Sequence, residues 1–106
     1  MTRLACAVAA ALAAVAATPG PTLKLGGTHP VSVQGTGFHA RERVRLVLHE
    51  DGEAHRRRAR AGASGAFSAT FKGTAIDRCE PFSITATGRA GSRARVGRRA
   101  PVGCPP

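Results

Sequence analysis

From residue 22 onward, apolar residues alternate with polar ones in short runs, and a glycine, a proline or a charged turn ends each run. A period of two puts alternate side chains on opposite faces of an extended strand. No stretch after residue 17 carries a 3.6-residue apolar period, so helices are not expected there. Turn signals recurring at about eight to twelve residues predict an all-β sandwich or barrel of antiparallel strands. The runs are residues 23–25, 31–34, 43–49, 54–61, 66–72, 82–87 and 92–97. In the third, Val44, Leu46 and Leu48 point inward and Arg43, Arg45 and His49 outward, with Val47 the apolar exception on the outer face. Phe67, Ala69 and Phe71, then Phe82, Ile84 and Ala86, then Ala94 and Val96, are the inward sets of the later runs. The fourth run is crowded with arginine and fits only an edge. Glu50-Asp51-Gly52-Glu53 is a hairpin turn, because Asp-Gly supplies the positive φ that tight hairpins need.

Gly35-Thr36-Gly37 could suggest a phosphate-gripping loop. A dinucleotide loop needs a third glycine and a following helix, and a Walker loop needs Gly-Lys-Ser/Thr. Arg41 stands where the third glycine would be, and a strand follows. The two glycines therefore read as a bend where the chain turns or passes close to a neighbour, with Phe38 plugging that end of the sandwich.

The N-terminus reads differently. Arg3 precedes an unbroken run of Ala, Val, Leu and one Cys over residues 4–17, which is too short to span a bilayer as a helix. Ala14-Val15-Ala16 fits a cleavage site, and Thr18-Pro19-Gly20-Pro21 breaks any helix. Residues 1–17 are expected to be a secretory signal peptide, with residues 18–106 as a single sandwich domain and no transmembrane segment in the mature protein. An Ala-rich N-terminal helix is the plainer alternative. Cleavage removes Cys6 and leaves Cys79 and Cys104, which an oxidising compartment would join. That bridge would close 24 intervening residues. On a chain-entropy basis it would stabilise the fold by about 3.5 kcal/mol.

Sixteen Lys and Arg face six Asp and Glu, for a net charge of +10. Such an excess must lie on the surface and favours anionic partners. If the strands at 43–49, 82–87 and 92–97 are neighbours, Arg43, Arg45, Arg93 and Arg95 flank a strip of Ser83, Thr85 and Thr87 suited to phosphate or carboxylate oxygens. Arg56, Arg57, Arg58 and Arg60 would add a second patch on the edge strand. The competing explanation is that these charges keep a β-protein soluble and block edge pairing. Nucleic acid fits poorly, since that face offers no aromatic ring for stacking. The segment from His49 to His55 holds two histidines and three acids around a turn, and it reads as a solvated turn rather than a metal site. The chain has no nucleophile elbow and no paired carboxylates across a cleft, so no catalysis, cofactor or metal is expected.

Val33-Gln34-Gly35-Thr36-Gly37-Phe38, the strand that follows Glu42, and Gly65-Ala66-Phe67 within residues 61–71 resemble the bacterial immunoglobulin-like modules of secreted and cell-surface proteins. The resemblance covers about residues 22–97 and implies an immunoglobulin-like sandwich of about seven strands. It also implies a non-catalytic binding or accessory role at the cell envelope or outside the cell, and the charge excess directs that role toward an anionic envelope polymer, with another surface protein as the other partner class. A similar rhythm occurs in neocarzinostatin-type sandwiches. That likeness frames an alternative, a small-ligand carrier with a pocket lined by Phe38, Phe67, Phe71 or Phe82. The chain lacks the two cysteine pairs those sandwiches hold, so their ligand is not carried over.

Overall fold

The computed structural model describes residues 20–99. The expected leader and the tail with Cys104 lie outside the described residues. Seven strands form: β1 (Thr22–Thr28), β2 (Val31–Thr36), β3 (Arg43–Glu50), β4 (Glu53–Arg60), β5 (Phe67–Phe71), β6 (Phe82–Gly88) and β7 (Arg93–Arg98). Two antiparallel sheets face each other. One has the order β1-β2-β5 and the other β4-β3-β6-β7.

The turns explain the hairpins. Asp51 and Gly52 both take positive φ, +48° and +75°. That combination matches the twist of the flanking β3–β4 strands. The bend at residues 35–37 uses its glycines for two reasons. Gly37 sits at φ +80°. At Gly35 the chain lies so close to the Phe67 ring that a Cβ there would collide with it.

The inward residues are those the alternation predicts. Val31, Val33, Leu46, Leu48, Phe71 and Ile84 are fully buried between the sheets. Phe38 and Phe67 meet edge to face with centroids 5.0 Å apart and close one end of the core. One core residue comes from outside any strand. Ile76, in the loop between β5 and β6, is fully buried. It is held by its amide donating to the Thr28 carbonyl at 3.0 Å, while the Val31 amide donates to the Thr74 carbonyl at 2.9 Å. β4 pairs only with β3, so it is an edge strand, as its arginines require.

Candidate anion-binding face

The outer face of the four-stranded sheet follows from register. Arg45 lies between Arg58 and Thr87, and Thr87 lies beside Arg93. In the next row Val47 lies between Arg56 and Thr85, and Thr85 lies beside Arg95. Arg43 stands opposite Arg60. Rows are about 6.6 Å apart along the strands, and neighbours within a row are about 4.8 Å apart. Arg43, Arg45, Arg93 and Arg95 therefore share the face opposite Ile84 and the core. The hydroxyls of Thr85 and Thr87 lie between the two pairs, with Ser83 in the row beyond.

The edge-strand arginines divide. Arg56 and Arg58 are exposed on this same face, next to Val47 and Arg45, so they extend the first patch instead of making a second. Arg57 points the other way. Its guanidinium donates through Nε to the Thr70 carbonyl at 3.3 Å and through Nη2 to the Lys72 carbonyl at 3.4 Å. It also lies 5.7 Å from the centre of the Phe71 ring. Arg57 straps the open edge of the sandwich, joining β4 to β5.

Electrostatics separates structural from unpartnered arginines. Besides Arg57, Arg98 donates to the Asp77 and Glu80 carbonyls, and Arg60 donates to the Arg41 carbonyl. Among the described residues, no side-chain hydrogen bond or ion pair engages the guanidinium of Arg43, Arg45, Arg56, Arg58, Arg89, Arg93 or Arg95. The ion pairs found there all run from histidine to glutamate. Like charges directly opposite one another, as at Arg45–Arg58 and Arg43–Arg60, destabilise a sheet. A counter-charge laid on the face would relieve this.

The acids are elsewhere. Glu42, in the turn before β3, is buried. Its Oε1 accepts from the His39 amide at 3.0 Å and the Ser92 hydroxyl at 2.7 Å, and its Oε2 accepts from the amides of Ala90 at 2.7 Å and Ser92 at 3.3 Å. Burial pushes its carboxyl up, but these four hydrogen bonds outweigh burial and hold it at about 2. Glu42 thereby pins the β2–β3 turn to the β6–β7 turn. Sequence reasoning saw it only as the end of a turn. The His39 amide is its one local partner, and the other three bonds come from Ala90 and Ser92, about fifty residues away, which no local signal marks.

Glu50, Glu53 and Glu80 gather at the opposite end of β3, about 23 Å along the strand from Arg43. A hydrogen bond between the Glu50 and Glu80 carboxyls raises Glu50 and lowers Glu80 from the usual glutamate range. His55 Nε2 lies 3.0 Å from Glu50 Oε2 and 3.6 Å from a Glu53 oxygen. Glu50, Glu53 and His55 are the described residues that could hold a metal, with ligand atoms within 4.8 Å of one another. His49 lies in the row with Ser83 on the outer face and does not join them. His29 and His39 bond to Thr28 and Ser92 instead. Cys79, in the β5–β6 loop, has a bonding partner among the interactions of this chain. Cys104 lies outside the described residues. The phenylalanines named for a carrier pocket are all core residues, none more than 9% exposed.

Fold and face together define a class: an all-β sandwich of seven strands with one purely cationic sheet face. Among solved structures the chain is similar to a tetra-tandem repeat in the extending region of a large adhesion protein. The TM-score is 0.52 and the identity 19%, over 74% of this chain and 23% of that one. The chain thus spans under a quarter of that structure's length, and at this identity the likeness is one of fold. No protein-family model and no curated protein matches the chain. No helix among the described residues is long and apolar enough to cross a membrane.

Proposed function

We propose that this chain is a secreted or envelope-associated, non-catalytic module of the bacterial immunoglobulin-like kind, whose basic sheet face binds an anionic polymer. The observation that carries the reading is the set of unpartnered guanidinium groups on one face of a folded sheet, with the acids placed elsewhere. Each guanidinium offers five N–H donors in a planar fork that suits phosphate or carboxylate oxygens. The adhesion-protein repeat of similar fold supports a surface role.

The experiment is a titration of long-chain inorganic polyphosphate against the protein at several salt concentrations, followed by fluorescence anisotropy of a labelled polymer. Wild-type affinity should fall steeply as salt rises, because bound arginines displace counterions. Replacing Arg43, Arg45, Arg93 and Arg95 together by Gln should weaken binding and flatten that dependence. Adding Arg56→Gln and Arg58→Gln should deepen the loss. Equal binding by the quadruple variant across the titration would overturn the reading and leave solubility as the role of the face.

A further inference from the structure

The cationic face is uneven. Where β3 begins, a cleft of about 540 Å³ opens between Arg43, Arg45, Arg58 and Arg89. Thr87 forms one wall, and Val44 and Ala59 lie at the floor. Four arginines line it, whereas the β7 flank of the face has only Arg93 and Arg95. The frame around the cleft is fixed. The Arg89 amide donates to the Arg43 carbonyl at 2.9 Å, and the Gly88 amide donates to the Ser92 carbonyl at 2.7 Å. The adjoining Ala90 amide is held by Glu42. Glu42 is the acid beneath this end, and its carboxylate is buried against Gly88 with both oxygens occupied. It leaves the guanidinium groups without a counter-charge at the surface.

Resting on the polyanion reading above, we propose that this cleft is the seat of a phosphate group carrying up to two charges on one centre, a phosphomonoester or terminal pyrophosphate group. A singly charged group, such as a carboxylate, a sulfate ester or an internal phosphodiester, would neutralise one of the four cations lining the cleft and leave the remaining repulsion in place. A terminal phosphate presents about −1.5 to −2 charge and three acceptor oxygens at one point, and guanidinium pairs can grip it bidentately. The chemistry is the same whether the group ends a polymer or is free in solution.

The test compares inorganic pyrophosphate, which has terminal phosphates, with cyclic trimetaphosphate, which has none, by following backbone amide shifts of the protein at low salt. Long-chain polyphosphate is the third arm. Pyrophosphate should bind at least tenfold more tightly than trimetaphosphate and move the amides of residues 87–89. Arg45→Gln with Arg58→Gln should lose about tenfold in pyrophosphate affinity, which corresponds to about 1.4 kcal/mol. Lys72→Gln with Arg78→Gln, two exposed cations outside the cationic sheet face, should stay within twofold. Tight pyrophosphate binding with weak polyphosphate binding would assign the seat to free phosphates instead of polymer ends. Equal affinity for the two small anions, or equal losses in the two double variants, would overturn the cleft proposal. The wider reading would then stand only if the quadruple variant still weakened polyphosphate. Loss of binding in all three arms would overturn both.

Discussion

Replacing Glu42 by Gln should remove a pH-dependent part of the stability of this fold. An unfolded glutamate titrates at 4.5, and the folded Glu42 at about 2. Because the folded value is depressed, the stabilisation is fully present above the unfolded value and is lost as pH falls through 4.5 toward 2. The separation corresponds to roughly 3 kcal/mol at pH 7. Gln keeps the size of the side chain but turns one acceptor oxygen into an NH2 group facing amides that need an acceptor. Either the His39–Ser92 side or the Ala90–Ser92 side then loses its partner. Leaving a buried donor unsatisfied costs about 1–3 kcal/mol, and more beside a lost charge. The chain has no Trp and no Tyr, so far-UV circular dichroism is the probe for urea unfolding. With a slope of about 1 kcal/mol per M for a domain this size, Glu42→Gln should lower the pH 7 midpoint by about 2–3 M. The gap between wild type and variant should close as pH falls to about 2.5. A gap of the same size at pH 7 and at pH 2.5, or no gap at pH 7, would refute the account of Glu42 as a charged, four-bonded pin.

Gly88→Ala should destabilise by about 2–4 kcal/mol in the same assay, because the new methyl would fall on the Glu42 carboxylate. Gly62→Ala meets only ordinary contacts and should stay near wild type. Arg57→Gln should cost about 1–2 kcal/mol through the lost strap to β5, while polyphosphate affinity stays within twofold of wild type. A large loss of affinity would instead place Arg57 on the binding face. Peptide mapping of the protein without reductant should recover Cys79 joined to Cys104, and reduction should lower stability by about 3.5 kcal/mol. Finding both cysteines alkylated under non-reducing conditions would remove that staple.

The seven strands, their inward residues, the Asp51-Gly52 hairpin and the edge position of β4 were legible in the sequence. Each depends on alternation or on a local φ requirement, and both are written in neighbouring residues. Alternation also carried a signal that separates Arg57 from Arg56 and Arg58, since the middle of three consecutive strand residues must face the other way. Three other features came only from tertiary structure. Ile76 is a lone apolar residue in a polar loop, and its burial depends on where Thr28 passes. Glu42 is buried because a turn about fifty residues later brings three of its four hydrogen bonds to it. The two arginine patches became one because register between strands sets Arg58 beside Arg45. Alternation decides which face of its own strand a side chain takes. Which side chains from distant strands then meet is decided by sheet order and register, and the packing of the whole core sets those.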